Sequence, residues 1–205
     1  MDTNNYDVDG VTIASKGQNT FLVTTGTSFN GASGLVELRQ TNNTTQQTGP
    51  GAGTTVGPTV VKSYFGFGAV DTSVYGIVTT STIMGFSTVL TATYTPAAVW
   101  PTNPTLNTPY TRTVTLKTDT SVLGQATSTT TTQTETRTYS AETITTFVGT
   151  NQACKVRYDV TANGATTTSY SWTVGTGRLK GHLLKSTNAT GVRTTESTVL
   201  TVNGS

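Results

Sequence analysis

Histidine occurs once in this 205-residue chain, at His182, and cysteine once, at Cys154. One imidazole per chain excludes a multi-histidine metal centre within it. A lone thiol excludes an internal disulfide. Charge is scarce too: twelve basic and ten acidic residues leave a net charge of +2, and only 11% of the chain is charged. A protein that tracks a phosphate backbone needs a basic stripe. Here Arg178, Lys180, His182 and Lys185 are the one basic cluster, and they read as a solvated strand face, so no nucleic-acid partner is expected. No apolar run reaches the about 18 residues of a membrane-crossing helix. The opening Met1-Asp2-Thr3-Asn4-Asn5 has no signal-peptide character, so localisation rests on composition.

Catalytic motifs are missing as well. Cys154 has inward parity in its expected strand and His182 outward parity, which separates the two as a dyad. None of the ten carboxylates forms a pair with an acid–base context. Asp7 and Asp9 alternate, but no Asp-x-Asp-x-Asp-Gly loop follows to hold calcium. Gly51-Ala52-Gly53 precedes neither Lys-Ser/Thr nor a helix, so it is not a phosphate loop. No catalytic residue, metal or cofactor is assigned, and an enzyme is not the expected class.

What the chain does have is threonine, about 53 of its residues, with 21 glycines. A branched Cβ restricts χ1 and suits a pleated surface better than a helix. Nowhere does a helical stripe develop. The expected fold is all-β and antiparallel, a β-sandwich or half-barrel in a single domain over residues 1–205. Residues 1–16 form an N-terminal extension, with Val11 and Ile13 available for strand exchange. Alternation predicts strands at Leu35–Arg39, Val60–Phe65, Val74–Val78, Thr88–Tyr94 and Arg112–Lys117, with Val114 and Leu116 inward. Residues 41–58 and 96–109 read as loops, the second because of its four prolines. Trp100 would then pack over one end of the core. The Thr-rich stretch 127–136 is expected as an exposed, edge-located strand or hairpin.

The last third reads as a meander. Cys154, Val156, Tyr158 and Val160 share one face, then Asn163-Gly164 signals a hairpin. If every apolar residue of the hairpin faces one core, parity demands a three-residue turn, Asn163-Gly164-Ala165. That turn pairs Tyr158 with Tyr170 and Val156 with Trp172. A four-residue loop at 175–178 then places Gly181 across from Trp172. Tyr158, Tyr170, Trp172 and Trp100 are the candidate groove aromatics.

The segments Glu142-Thr143-Ile144, Phe147, Gly149, Ala153-Cys154-Lys155-Val156, Thr168–Trp172 and Val174-Gly175-Thr176-Gly177-Arg178-Leu179-Lys180 resemble exported bacterial proteins, many of them lipoproteins. In those a large antiparallel sheet curls into a half-barrel. The resemblance spans roughly residues 135–185. It implies a periplasmic or cell-surface protein, sometimes with an apolar groove, and brings no catalytic residues. The lipid-attachment cysteine of that pattern is missing at the start.

Three functions compete on these grounds. Low charge and polar segments at 1–10 and 127–136 favour a structural subunit of an extracellular or cell-surface fibre, built from copies of the chain by strand addition. The alternative is a periplasmic or surface carrier whose apolar groove holds a ligand. The third is a glycan-binding or glycan-active protein, with a cleft shaped by the polar loops 41–58 and 95–110.

Overall fold

Threonine-rich alternation produces strands throughout, with no helix among the described residues, which are 1–83 and 86–201 of a computed structural model. In chain order the strands are β1 (Asp2–Tyr6), β2 (Ile13–Phe29), β3 (Ala32–Gln46), β4 (Thr55–Phe67), β5 (Asp71–Ile83) and β6 (Phe86–Pro101). Then follow β7 (Pro109–Val122), β8 (Gln125–Thr146), β9 (Gly149–Ala162), β10 (Ala165–Val174), β11 (Leu183–Asn188) and β12 (Arg193–Val199). Each pairs antiparallel with the next, and β1 pairs with β12, so the sheet is a closed barrel rather than a sandwich or an open half-barrel. Closure removes the free edges that an open sheet must otherwise protect.

The inward face is visible in the alternation of burial. On β7, Thr111, Thr113 and Lys117 are exposed while Val114 is buried. On β2, Ser15 and Asn19 are buried while Lys16, Gln18 and Thr20 are exposed. The ladders carry the Val114 face across to Leu116, Tyr94, Ala92, Ile77 and Val61. Eight strands enclose an interior that side chains just fill, and diameter grows with strand number. Twelve strands leave more room than aliphatic side chains occupy. Accordingly Leu116, Ile77 and Val61 are only partly buried. The accessible surface is 11445 Å² for 21.4 kDa, against about 9,100 Å² for a compact monomer of that mass. The excess belongs to the inner wall and to hairpins that run past the rim.

A second core lies on the opposite face. Ala153, Trp172, Val174 and Leu184 are buried together, with Ile144, Val148 and Tyr170 packed against them. It forms because β8 continues beyond Tyr139 and lays the tip of the β8–β9 hairpin over β10–β12. There Phe147 N–H donates to Glu196 Oε1 at 3.3 Å. A smaller packing of the same kind caps β4 and β5, where Phe29 stacks on Tyr64 at 4.5 Å. Gly76 lies beneath that ring; a Cβ there would overlap both Phe29 and the Ala92 carbonyl.

The C-terminal strands do form a meander, but its register differs from the expected one. Asn163 and Gly164 make a two-residue turn, with φ of 51° and 77°, the left-handed pair that a type I′ hairpin requires. Tyr158 therefore opposes Ser169, and Val156 opposes Ser171. Trp172 opposes Lys155 and Lys185, and Gly181 sits in the loop before β11 instead. The parity argument assumed one buried face, whereas both faces of β9 and β10 are covered. The loop expected at 41–58 shrinks to 47–54, because Thr44 and Thr45 pair with Val56 and Thr55. The segment 96–101 is strand, paired with β5 alone through Val74↔Ala98 and Thr72↔Trp100. Its two prolines, Pro96 and Pro101, are accommodated because the β7 side carries no ladder there. Residues 125–132 of the Thr-rich stretch pair only with β7, since β9 joins at Gln133↔Ala162.

Candidate functional site

The wall opens where β6 and β7 separate. Their ladder runs from Thr88↔Val122 to Thr95↔Thr115 and stops. Beyond it β6 turns toward β5, and β7 continues against β8 alone. The separation leaves a cleft of about 350 Å³, lined among others by Val70, Val99, Trp100, Tyr110 and Arg112. Trp100, only 4% exposed, swings over the inward side chains of β7 and β8. The Arg112 and Arg137 guanidiniums lie 3.6 Å and 3.9 Å from the centre of its ring. Tyr158 of β9 meets the same indole edge-on at 6.4 Å.

Glu135 anchors this group from beneath and is fully buried. It accepts from Arg112 Nε at 2.9 Å and also from Arg112 Nη2 and Gln133 Nε2. Among the described residues no carboxylate comes within ion-pair distance of Arg137, so two guanidiniums share one carboxylate. Burial pulls the Arg112 guanidinium below its ordinary range, against the contrary pull of Glu135. Burial also pushes the Tyr158 phenol well up and raises that of Tyr94, and the Glu135 charge adds to both. Both phenols therefore stay protonated as donors at neutral pH.

Two buried donors at this cleft lack a protein acceptor: Trp100 Nε1 and Arg112 Nη1. A buried donor left unsatisfied costs about 1–3 kcal/mol, more for a charged group. Trp172 makes the contrast. Its Nε1 donates to Glu142, and the Lys155 and Lys185 ammoniums lie 5.0 Å and 4.5 Å from its ring centre. One tryptophan is satisfied by its own chain and is structural; the other is not.

The sequence matches no family model, and no curated protein or solved structure is significantly similar to it. Function therefore rests on the geometry.

Of the four candidate groove aromatics, the structure brings Trp100 to Tyr158 and Tyr170 to Trp172, the latter at 6.2 Å. The two pairs lie on opposite faces of the sheet, so they line no common groove. Ile13 pairs with Tyr6 in the β1–β2 ladder, and Val11 stands 79% exposed in the β1–β2 turn. His182 lies in the β10–β11 loop, its Nδ1 3.0 Å from the Leu179 carbonyl. No group of three or more His, Cys, Asp or Glu that could hold a metal ion occurs among the described residues. Arg112, Glu135 and Arg137 escaped the sequence reading. The available signal was parity: Arg112 falls in step with Val114 and Leu116, a charge at an inward position.

Proposed function

We propose that this chain is a non-catalytic carrier that holds an elongated apolar ligand against the inner wall of its barrel. The observation that carries the reading is the inward aliphatic set Val61, Ile77 and Leu116, each left partly exposed by the side chains around it. The outward face of the same strands supports it. Thr111, Thr113, Lys117 and Arg157 point out, whereas a barrel embedded in lipid presents an apolar band outward. Carriers of this kind work in the extracellular space, at the cell surface or in the periplasm, the setting that the low charge also favours.

Titration with the uncharged fluorophore diphenylhexatriene tests this. Saturable binding near one probe per chain is expected. Leu116→Lys, which puts an ammonium on the inner wall, is expected to weaken it at least about tenfold, since burying an unpaired charge exceeds 1.4 kcal/mol. A linear, unsaturable signal in the wild type would sink the reading.

A second reading, a structural subunit built from copies of itself, has one observation in its favour. Residues 125–132 form a strand edge that β9 leaves uncovered, and the segment contains no charge and no proline. Such an edge lacks the usual guards against strand pairing. Sedimentation velocity over a hundredfold concentration range decides: assembly is expected on this reading, and a monomer throughout removes it.

A further inference from the structure

Resting on the carrier reading, we propose that the ligand is a long-chain monocarboxylate. Its carboxylate sits in the β6–β7 cleft, accepting hydrogen bonds from Trp100 Nε1 and Arg112 Nη1. Both groups are donors only, with no lone pair to offer, so the complementary ligand group is an acceptor. Among the described residues they are also the two buried side-chain donors left without a hydrogen-bond partner.

The charge count selects a single negative charge. Arg112 and Arg137 bring two positive charges to Trp100, and Glu135 returns one. One carboxylate balances the remainder. Glu135 itself is fully buried beneath Arg112 and engaged by Arg112 and Gln133, so it does not compete for the cleft. Asp71 is the other acid at the cleft, and its carboxylate lies against Gly68 in the β4–β5 turn. An indole N–H beside a guanidinium supplies two charge-assisted hydrogen bonds in a low-dielectric setting, the strong class of such contacts.

The hydrocarbon has a track to follow. On the inward face of β7 Arg112 is followed by Val114, itself buried, and then by Leu116, which with Tyr94 of β6 stays partly exposed. At about 3.4 Å per strand residue, Leu116 lies roughly 14 Å from Arg112 along the wall. That is most of the length of an extended long acyl chain. The headgroup site and the apolar wall are thus consecutive positions of one strand face.

The experiment compares a fluorescent polyene fatty acid, cis-parinaric acid, with its methyl ester, on the full chain. The acid is expected to bind at least about tenfold tighter than the ester. Trp100→Phe keeps the ring between the guanidiniums and removes only the Nε1 donor. It is expected to weaken the acid about tenfold and leave the ester unchanged. Arg112→Lys keeps a cation beside Glu135 but loses Nη1, and should show the same split; it serves if Trp100→Phe does not fold by circular dichroism. Equal affinity for acid and ester, or equal weakening of both by the variants, overturns the carboxylate site while the carrier reading survives. Failure of both probes to bind overturns the two together.

Discussion

Replacing Arg112 with Met is expected to destabilise the barrel by about 3–5 kcal/mol, read as a fall in the urea midpoint at unchanged slope. Glu135 has no exposed surface, and among the described residues Arg112 is its only cationic hydrogen-bond partner. Removing the guanidinium leaves a carboxylate in the wall without a counterion, and it strips the Trp100 ring of one of its two stacked cations. Volume alone does not explain such a loss, because Met is close to the Arg stem in shape. Pairing Arg112→Met with Glu135→Gln is therefore expected to recover most of it, since replacing both members of a buried pair is often nearly neutral. Equal losses in the single and double variants would show that Arg112 acts by packing rather than by charge. Arg137 stays in both variants and keeps its place 3.9 Å from the indole centre.

Why a barrel of this composition holds so much charge inside follows from the divergence of β6 and β7. Where two strands part, their facing backbone groups lose ladder partners, and long side chains with several donors can bridge the gap. Arg112 of β7 and Arg137 of β8 both reach the ring of Trp100 on β6. The same divergence puts the buried, unpartnered Trp100 and Arg112 donors beside the cleft. Local stability and ligand access arise from one break in the ladder.

Strand positions were legible in the alternation, and so was the inward face where aliphatic residues mark it, as at Val114 and Leu116. Closure was not. Thr occupies inward and outward positions alike, so from β7 to β8 the pairs Thr113↔Thr134 and Thr115↔Thr132 carry no sign of which side is wet. Register failed at Asn163-Gly164 for a related reason. Tyr158 and Trp172 both looked like core and were placed on one face, but each is core on its own face. The ionic cluster was hidden by sequence distance, with Arg112 and Glu135 separated by 23 residues and meeting only through β7–β8 pairing. The prolines make 96–109 read as a loop, whereas β6 continues through Pro96 to Pro101, and the cleft depends on where β7 stops following β6.

Trp172→Ala is the sharpest check on the division into two cores. The indole is 6% exposed and central to the cluster of Ala153, Val174 and Leu184. Truncating a buried tryptophan costs about 3–5 kcal/mol through lost transfer energy and the cavity left behind. Here Glu142 also loses the Nε1 donor, and Lys155 and Lys185 lose the ring beneath them. The variant is expected to unfold at much lower urea, yet below that midpoint to bind the polyene acid as the wild type does, because the cleft lies on the other face of the sheet. Combined with Trp100→Phe, the stability losses should add within about 0.5 kcal/mol, as they do for sites without shared partners. Strong non-additivity, or a loss of acid binding in folded Trp172→Ala, would mean that the two aromatic groups are coupled through β9, whose Lys155 and Tyr158 serve one cluster each. The barrel would then be a single core whose ligand site and C-terminal packing rise and fall together.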